Sequence, residues 1–370
     1  MHSADIIVIG AGIAGVSAAA EMAADEKVIM LDMEQQPGYH SSGRSAAYYA
    51  TSYGKPLVQD ITRSCESFFM KPPAGFTEVE LLRPRDCMFF ARPDQAESLQ
   101  AMRAANDQLE FLDEAAVRER VPVISPGYLA GALRDRKGGD LDVDALLQGY
   151  LRLFRRRGGE FFNNHEVTAI VNTGSGWEIS AGGQVFHAPV VVNAAGGWAD
   201  TMARLAGLEP LGIRPYRRTA LTIEAPADVD IENWPEMVDV DEEFYFKPDA
   251  GLILLSPADE TETEPVDAQP EDIDVAMGVY RFEQATGLDI RQVRASWAGL
   301  RSFAPDRLFV AGFDPRAKGF FWLAGQGGYG VQSAPAMAKM AAFLVTGAEP
   351  EGDFEIVKGY VQDVSPARFL

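Results

Sequence analysis

Residues 6–15 read Ile6-Ile7-Val8-Ile9-Gly10-Ala11-Gly12-Ile13-Ala14-Gly15. The apolar run predicts a buried strand, and the Ala-rich stretch over 14–24 predicts a helix, so the first glycines fall in the turn between them. There each glycine has a physical reason. Gly10 permits the tight turn, Gly12 lets backbone approach a pyrophosphate, and Gly15 lets helix and strand pack closely. Ile13 and Ala14 open the helix, whose positive end attracts an anion. A second strand runs from Lys27 to Asp32, and Asp32, followed by Met33, stands where an acid accepts hydrogen bonds from a ribose diol. Dinucleotide binding is expected.

Two further apolar runs end in glycines: Val190-Val191-Val192-Asn193-Ala194-Ala195-Gly196-Gly197-Trp198, and Phe320-Phe321-Trp322-Leu323-Ala324 before Gly325-Gln326-Gly327-Gly328-Tyr329-Gly330. Several close backbone approaches suit a long, buried cofactor. The last run has the wrong spacing for a second GxGxxG, so NAD(P)H is not expected beside the first ligand, and FAD is expected as sole redox cofactor. Asp142 to Arg156 reads as a helix, and Phe161 to His187 as a short meander.

The expected fold class is α/β: a Rossmann-like FAD-binding domain (1–75, 139–210 and 295–370) with an inserted α+β substrate-binding domain (76–138 and 211–294). The insert is dominated by a mostly antiparallel sheet, suggested by strand-like runs such as Ala220-Leu221-Thr222-Ile223, with a helix near 270–285.

The chain's 370 residues, 47% hydrophobic and 24% charged, carry enough apolar material for a large core, which excludes disorder. No run approaches the ~20 apolar residues of a membrane span. The polar start His2-Ser3-Ala4-Asp5 has no basic flank, so a cytoplasmic location is expected. With 54 Asp and Glu against 33 Lys and Arg, the net charge of −21 excludes nucleic acid as a partner. Part of this charge is concentrated from Asp259 to Asp274, read as a solvated loop feeding acids into the first turn of a helix. Cys65 and Cys87 make no disulfide scaffold, and neither they nor the histidines show metal-ligand spacing, so no metal is expected.

Longer strings carry a family likeness: Gly38-Tyr39-His40-Ser41-Ser42-Gly43-Arg44-Ser45-Ala46-Ala47, Phe244-Tyr245-Phe246-Lys247-Pro248-Asp249-Ala250-Gly251, Ser296-Trp297-Ala298-Gly299-Leu300-Arg301-Ser302-Phe303, and Gln326-Gly327-Gly328-Tyr329-Gly330. Through them the chain resembles the FAD-dependent D-amino-acid oxidase superfamily, with glycine and sarcosine oxidases, and within it is similar to bacterial D-arginine dehydrogenases. The resemblance implies Ser41, Arg44, Ser45 and Ala46 along pyrophosphate and isoalloxazine, Val167 at the adenine, and Gly328 to Val331 near the flavin pyrimidine. It also places Ala195, Gly196, Trp198, Gly299, Arg301 and Gly327 at the cofactor. Gly299 stands where related sarcosine oxidases carry the tethering cysteine, so FAD is expected to be non-covalent.

Oxidation of a 2-amino acid requires a cation for the carboxylate and a Cα hydrogen aimed at flavin N5. Arg218 and Arg301 are the expected carboxylate pair, joined through the resemblance by Tyr245, Gly328 and, near the amine, Tyr53. Tyr48 to Gly54 reads as a flexible cover. Where the D-arginine dehydrogenases carry a histidine and a glutamate, this chain has Tyr48 and Cys87, so neutral or hydrophobic side chains are expected over D-Arg or D-Lys. His2, His40, His165 and His187 read as structural, and no side-chain base is assigned. The expected reaction is hydride transfer from Cα to N5, with hydrolysis of the imino acid to a 2-oxo acid and ammonia. The electron acceptor is left open among a quinone, a carrier and oxygen. The alternatives are oxidation of 2-hydroxy acids or secondary amines such as sarcosine, and a flavin-containing binding protein without turnover.

Overall fold

The computed structural model describes residues 1–370. Strand Ile6–Ile9 pairs in parallel with Val28–Leu31 on one side and with Val190–Asn193 on the other. Glu160–Phe162 and Phe320–Ala324 extend this sheet in parallel, and Val310–Phe313 closes one edge antiparallel. Both faces are covered, which is why these strands are uninterrupted apolar runs. Ile6 and Val8 face a core shared with helices Ile13–Met22, Val143–Arg156 and Ala334–Thr346. Ile7 and Ile9 point the other way, onto a core shared with the meander Val167–Asn172, Trp177–Ala181 and Gln184–Ala188.

A nine-stranded, mostly antiparallel sheet forms the second body; the parallel pairing of Glu236–Asp239 with Cys87–Ala91 is its exception. It combines strands from 87–135 with strands from 214–303, and helix Asp272–Thr286 packs against it. Its strand Val293–Phe303 pairs along almost the whole of Arg214–Glu224 and crosses the boundary expected at 294/295. A short three-stranded sheet, Tyr48–Tyr49, Gly139–Leu141 and Leu82–Pro84, adjoins both bodies. No helix is long and apolar enough to cross a membrane.

The acidic segment is largely solvated, as expected, since Glu260, Glu262, Glu264, Asp267, Glu271 and Asp272 are exposed, but arginines pair with several of its carboxylates. The Asp259 side chain is only 6% accessible and accepts from the Thr219 amide and hydroxyl, at 2.6 and 3.1 Å. Arg217 binds Glu271 and, at 2.8 Å, Asp274. Glu260 meets Arg307 at 2.5 Å, and Glu262 meets Arg214. The strand Arg214–Glu224 supplies Arg214 and Arg217, and the turn after Val293–Phe303 supplies Arg307, all far away in sequence. Asp272 and Asp274 do occupy the first helical turn.

Candidate active site

The three glycine-bearing strand ends are neighbours in the parallel sheet, because Ile6–Ile9, Val190–Asn193 and Phe320–Ala324 lie side by side. Their carboxyl ends open into one cavity of about 510 Å³, as expected at such an edge. Gly10 has φ +106°, and a Cβ there would stand 2.4 Å from the Ala194 carbonyl oxygen. Gly15 does not line the cavity. It serves packing instead, since a Cβ at that position would meet the Gly10 carbonyl oxygen at 1.9 Å.

Gly12 precedes helix Ile13–Met22 without a side-chain cap, and only the Ile13 amide finds a side-chain partner, the Ser42 hydroxyl at 2.9 Å. The remaining first-turn amides are free for an anion. Asp32 accepts from the Ala11 amide at 2.5 Å and the Glu34 amide at 2.8 Å, so it also shapes the turn. Burial pushes its carboxyl above the usual range, opposed by those two amides.

Most residues expected at the cofactor line this one cavity: Gly10, Gly12, Ile13, Ala14, Asp32, Met33, Ser41, Arg44, Ser45, Ala46, Val167, Ala195, Gly196, Trp198, Gly299, Arg301, Gly327, Gly328, Gly330 and Val331. Gly15 and Tyr329 are the exceptions; the Tyr329 ring packs on Tyr53 and Phe303 behind the wall. Sequence reasoning missed Ser42, and it read His40 as merely structural. His40 Nε2 lies 2.9 Å from Glu34, while its buried Nδ1 has no partner although the residue lines the cavity. Gln326 Nε2 is orphaned in the same cavity. The unchosen members of the strings 38–47 and 325–330 were the available signal. Orphaned donors, a bare helix start and a glycine-lined cradle fit a long dinucleotide.

At the other end stand Arg218, Tyr245 and Arg301. Adjacent positions on a strand face opposite ways, so Arg217 turns to the acidic segment while Arg218 turns to the cavity. Arg218 Nε is buried without a partner, and its nearest carboxylate, Glu260, is 3.9 Å away. Burial, and then the charge of Arg301, lower its pKa. Burial also opposes the Arg301 charge, but nearby Tyr53, Tyr245 and Glu242 outweigh it and raise the pKa. Arg301 Nη1 donates to the Tyr53 hydroxyl at 3.3 Å, which donates to Glu242 at 3.0 Å. Tyr53 therefore reaches the site through Arg301 and does not itself line the cavity. Gly328 leaves room for the Arg301 guanidinium: a Cβ there would come within 2.9 Å of its central carbon and push it aside.

Tyr48 and Cys87 were expected at the substrate, but they pack together behind the wall. The Tyr48 hydroxyl donates to the Arg85 carbonyl at 2.5 Å, which fixes the ring there. Burial pushes the Cys87 thiol up, and the Glu236, Asp135 and Asp86 carboxylates add to it. The segment 48–54 is also more anchored than a flexible cover. Thr51 and Ser52 donate to buried Asp135 at 3.0 and 2.6 Å, and the Ala50 amide donates to Gln332. Glu236, unsuspected from sequence, pairs in register with Cys87. Burial pushes its carboxyl up to about 7 despite Lys247.

The FAD dependent oxidoreductase family description (DAO) matches residues 5–344. Glycine oxidase of Pseudomonas putida is 25% identical over 94% of this chain and 96% of its own length. FAD-dependent oxidoreductase domain-containing protein 1 of Mus musculus is 23% identical, over 100% of this chain and 84% of its own length. Among solved structures, glycine oxidase of Geobacillus kaustophilus superposes with a TM-score of 0.84 at 22% identity, covering 100% of this chain and 99% of the other. The protein is thus an oxidoreductase of the α/β flavoprotein class, and its cofactor is FAD. It belongs to the DAO family of FAD-dependent oxidoreductases.

Proposed function

We propose that the protein oxidises D-amino acids with neutral or hydrophobic side chains. The observation that carries this reading is the pair Arg218 and Arg301, turned into the cavity with no carboxylate in close contact with either. Two guanidinium groups hold a small carboxylate far better than a neutral ligand, and bidentate contact orients it. Tyr245 adds a hydroxyl at the same end of the cavity. The D configuration rests on the likeness of the strings around Tyr245 and Arg301 to D-amino-acid oxidising relatives.

The side-chain preference follows from charge. Asp140 is taken by Lys247 at 2.6 Å and by Arg85 at 2.6 Å, and Glu236, with its pKa near 7, is only partly ionised at neutral pH. Neither carboxylate lines the cavity, so neither serves a distal ammonium or guanidinium group.

When bound, FAD supplies the acceptor for the hydride that leaves Cα. Arg218 and Arg301 fix the carboxylate, which leaves Cα and the amine as the groups free to face the cofactor end. The two histidines that line the cavity, His40 beside Glu34 and His165 next to Glu166 and Val167, stand with the residues expected at the dinucleotide, so no histidine is assigned as base and the amine loses its proton to water. The imino acid then takes up water to give a 2-oxo acid and ammonia.

Anaerobic bleaching of the flavin by a panel of D- and L-amino acids, N-methyl amino acids and 2-hydroxy acids tests the reading. Neutral D-amino acids should bleach fastest, and a panel in which N-methylglycine or a hydroxy acid wins would replace it. Repeating the panel with oxygen identifies the acceptor. Arg301→Met should lower kcat/KM by about 10²- to 10³-fold, mainly through KM, while FAD stays bound. Steady-state kinetics with the flavin absorbance read alongside checks both halves.

A further inference from the structure

The acidic segment has no part in the chemistry above, yet its contacts lead to the cofactor cavity. Asp267 accepts from Arg44 Nη2 at 2.5 Å, and the carbonyl of the next residue, Ala268, accepts from Arg44 Nη1 at 2.9 Å. The same Nη1 also reaches the Ala298 carbonyl, at 3.0 Å, on the strand Val293–Phe303. Arg44 and Tyr39 both line the cofactor cavity; the guanidinium stacks 5.1 Å over the Tyr39 ring, whose hydroxyl is 3.4 Å from Asp267. Ala268 is buried against Ala298 and Leu300, beside Trp198. The segment is fixed at both ends, by Asp259 on Thr219 and by Glu271 and Asp274 on Arg217.

We infer that the acidic segment 259–274 is an electrostatic latch that fastens the cofactor-lining loop 38–46 onto the substrate sheet, with Asp267 as the positioning residue acting on FAD through Arg44. The loop has few other ties to that sheet: the Ser41 hydroxyl on the Leu300 carbonyl at 2.6 Å, and Trp297 Nε1 on the Arg44 carbonyl at 3.0 Å. Asp267 is half exposed, with its side chain 48% accessible against 15% for Arg44, so the tie opens to solvent from one side and is screened by salt. Its loss frees the Arg44 head from one anchor and lets the cofactor-lining loop move.

The test is titration of apoprotein with FAD, followed by flavin fluorescence, at low salt and at about 0.5 M salt. Asp267→Asn should raise the FAD Kd by about fivefold at low salt, the scale of a partly exposed ion pair, and should flatten the salt dependence. Glu264→Gln removes the same charge from an exposed residue of the segment with no ion-pair partner, and should leave the wild-type curve unchanged. Asp267→Glu keeps the charge and should lie nearer wild type. Melting of the three apoproteins confirms that each is folded. An Asp267→Asn titration that overlays wild type at both salts, or a Glu264→Gln variant weakened as much, overturns the latch. So does an Asp267→Glu variant as weak as Asp267→Asn.

Discussion

Glu236 is held in an environment that penalises its charge, and the penalty depends on pH. Burial raises its carboxyl from an ordinary value of 4.5 to about 7, against the pull of Lys247. Between those values the unfolded chain has released the proton while the folded chain keeps it. Stability therefore falls as pH rises through this window and is lowest above it. The difference amounts to on the order of 3 kcal/mol above pH ~7. Glu236→Gln, which cannot ionise, should melt close to wild type at pH ~4.5 and clearly higher at pH ~8. Parallel thermal melts across that range check the sign; a variant that loses stability at the alkaline end would show that the Lys247 attraction dominates. The paired arginines obey the same logic with the opposite remedy. Their charges are kept because a guanidinium does not deprotonate in the accessible range.

Among elements, the first strand, turn and helix are held together by contacts too close for any side chain. Gly15→Ala would drive a methyl to 1.9 Å from the Gly10 carbonyl oxygen, a backbone atom that cannot swing away. We expect about 1–3 kcal/mol of lost stability together with weakened FAD, because the strain moves the turn that faces the ligand. Melting temperature and the flavin-to-protein absorbance ratio of the purified variant measure the two effects. This element was legible from sequence because its information is local: period, glycine spacing and a terminal acid all fall within residues 6–32. The segment 48–54 was less so. Its anchoring depends on Asp135 and Gln332, which no local pattern connects to it.

At the level of the whole molecule, the strand ends that form the cavity were each readable, but their adjacency was not; it follows from the order in which the parallel sheet is assembled. The same holds for the acidic segment. Its eight carboxylates have no base near them in sequence, yet in three dimensions they meet Arg214 and Arg217 on the strand Arg214–Glu224 and Arg307 in the turn after Val293–Phe303. Cys87 and Tyr48 show the converse. They occupy positions singled out by resemblance, yet the register of their strands packs half-buried Tyr48 against buried Cys87 behind the wall.

The long strand Val293–Phe303 hydrogen-bonds into the nine-stranded sheet while its residues Gly299 to Ser302 line the cavity. One ribbon thus belongs to both halves of the protein. Chimeras that graft a relative's insert between residues 211 and 294 would split this ribbon from its partner Arg214–Glu224. Retuning such an enzyme by exchanging modules therefore requires moving both ribbons together, with the cavity wall they carry.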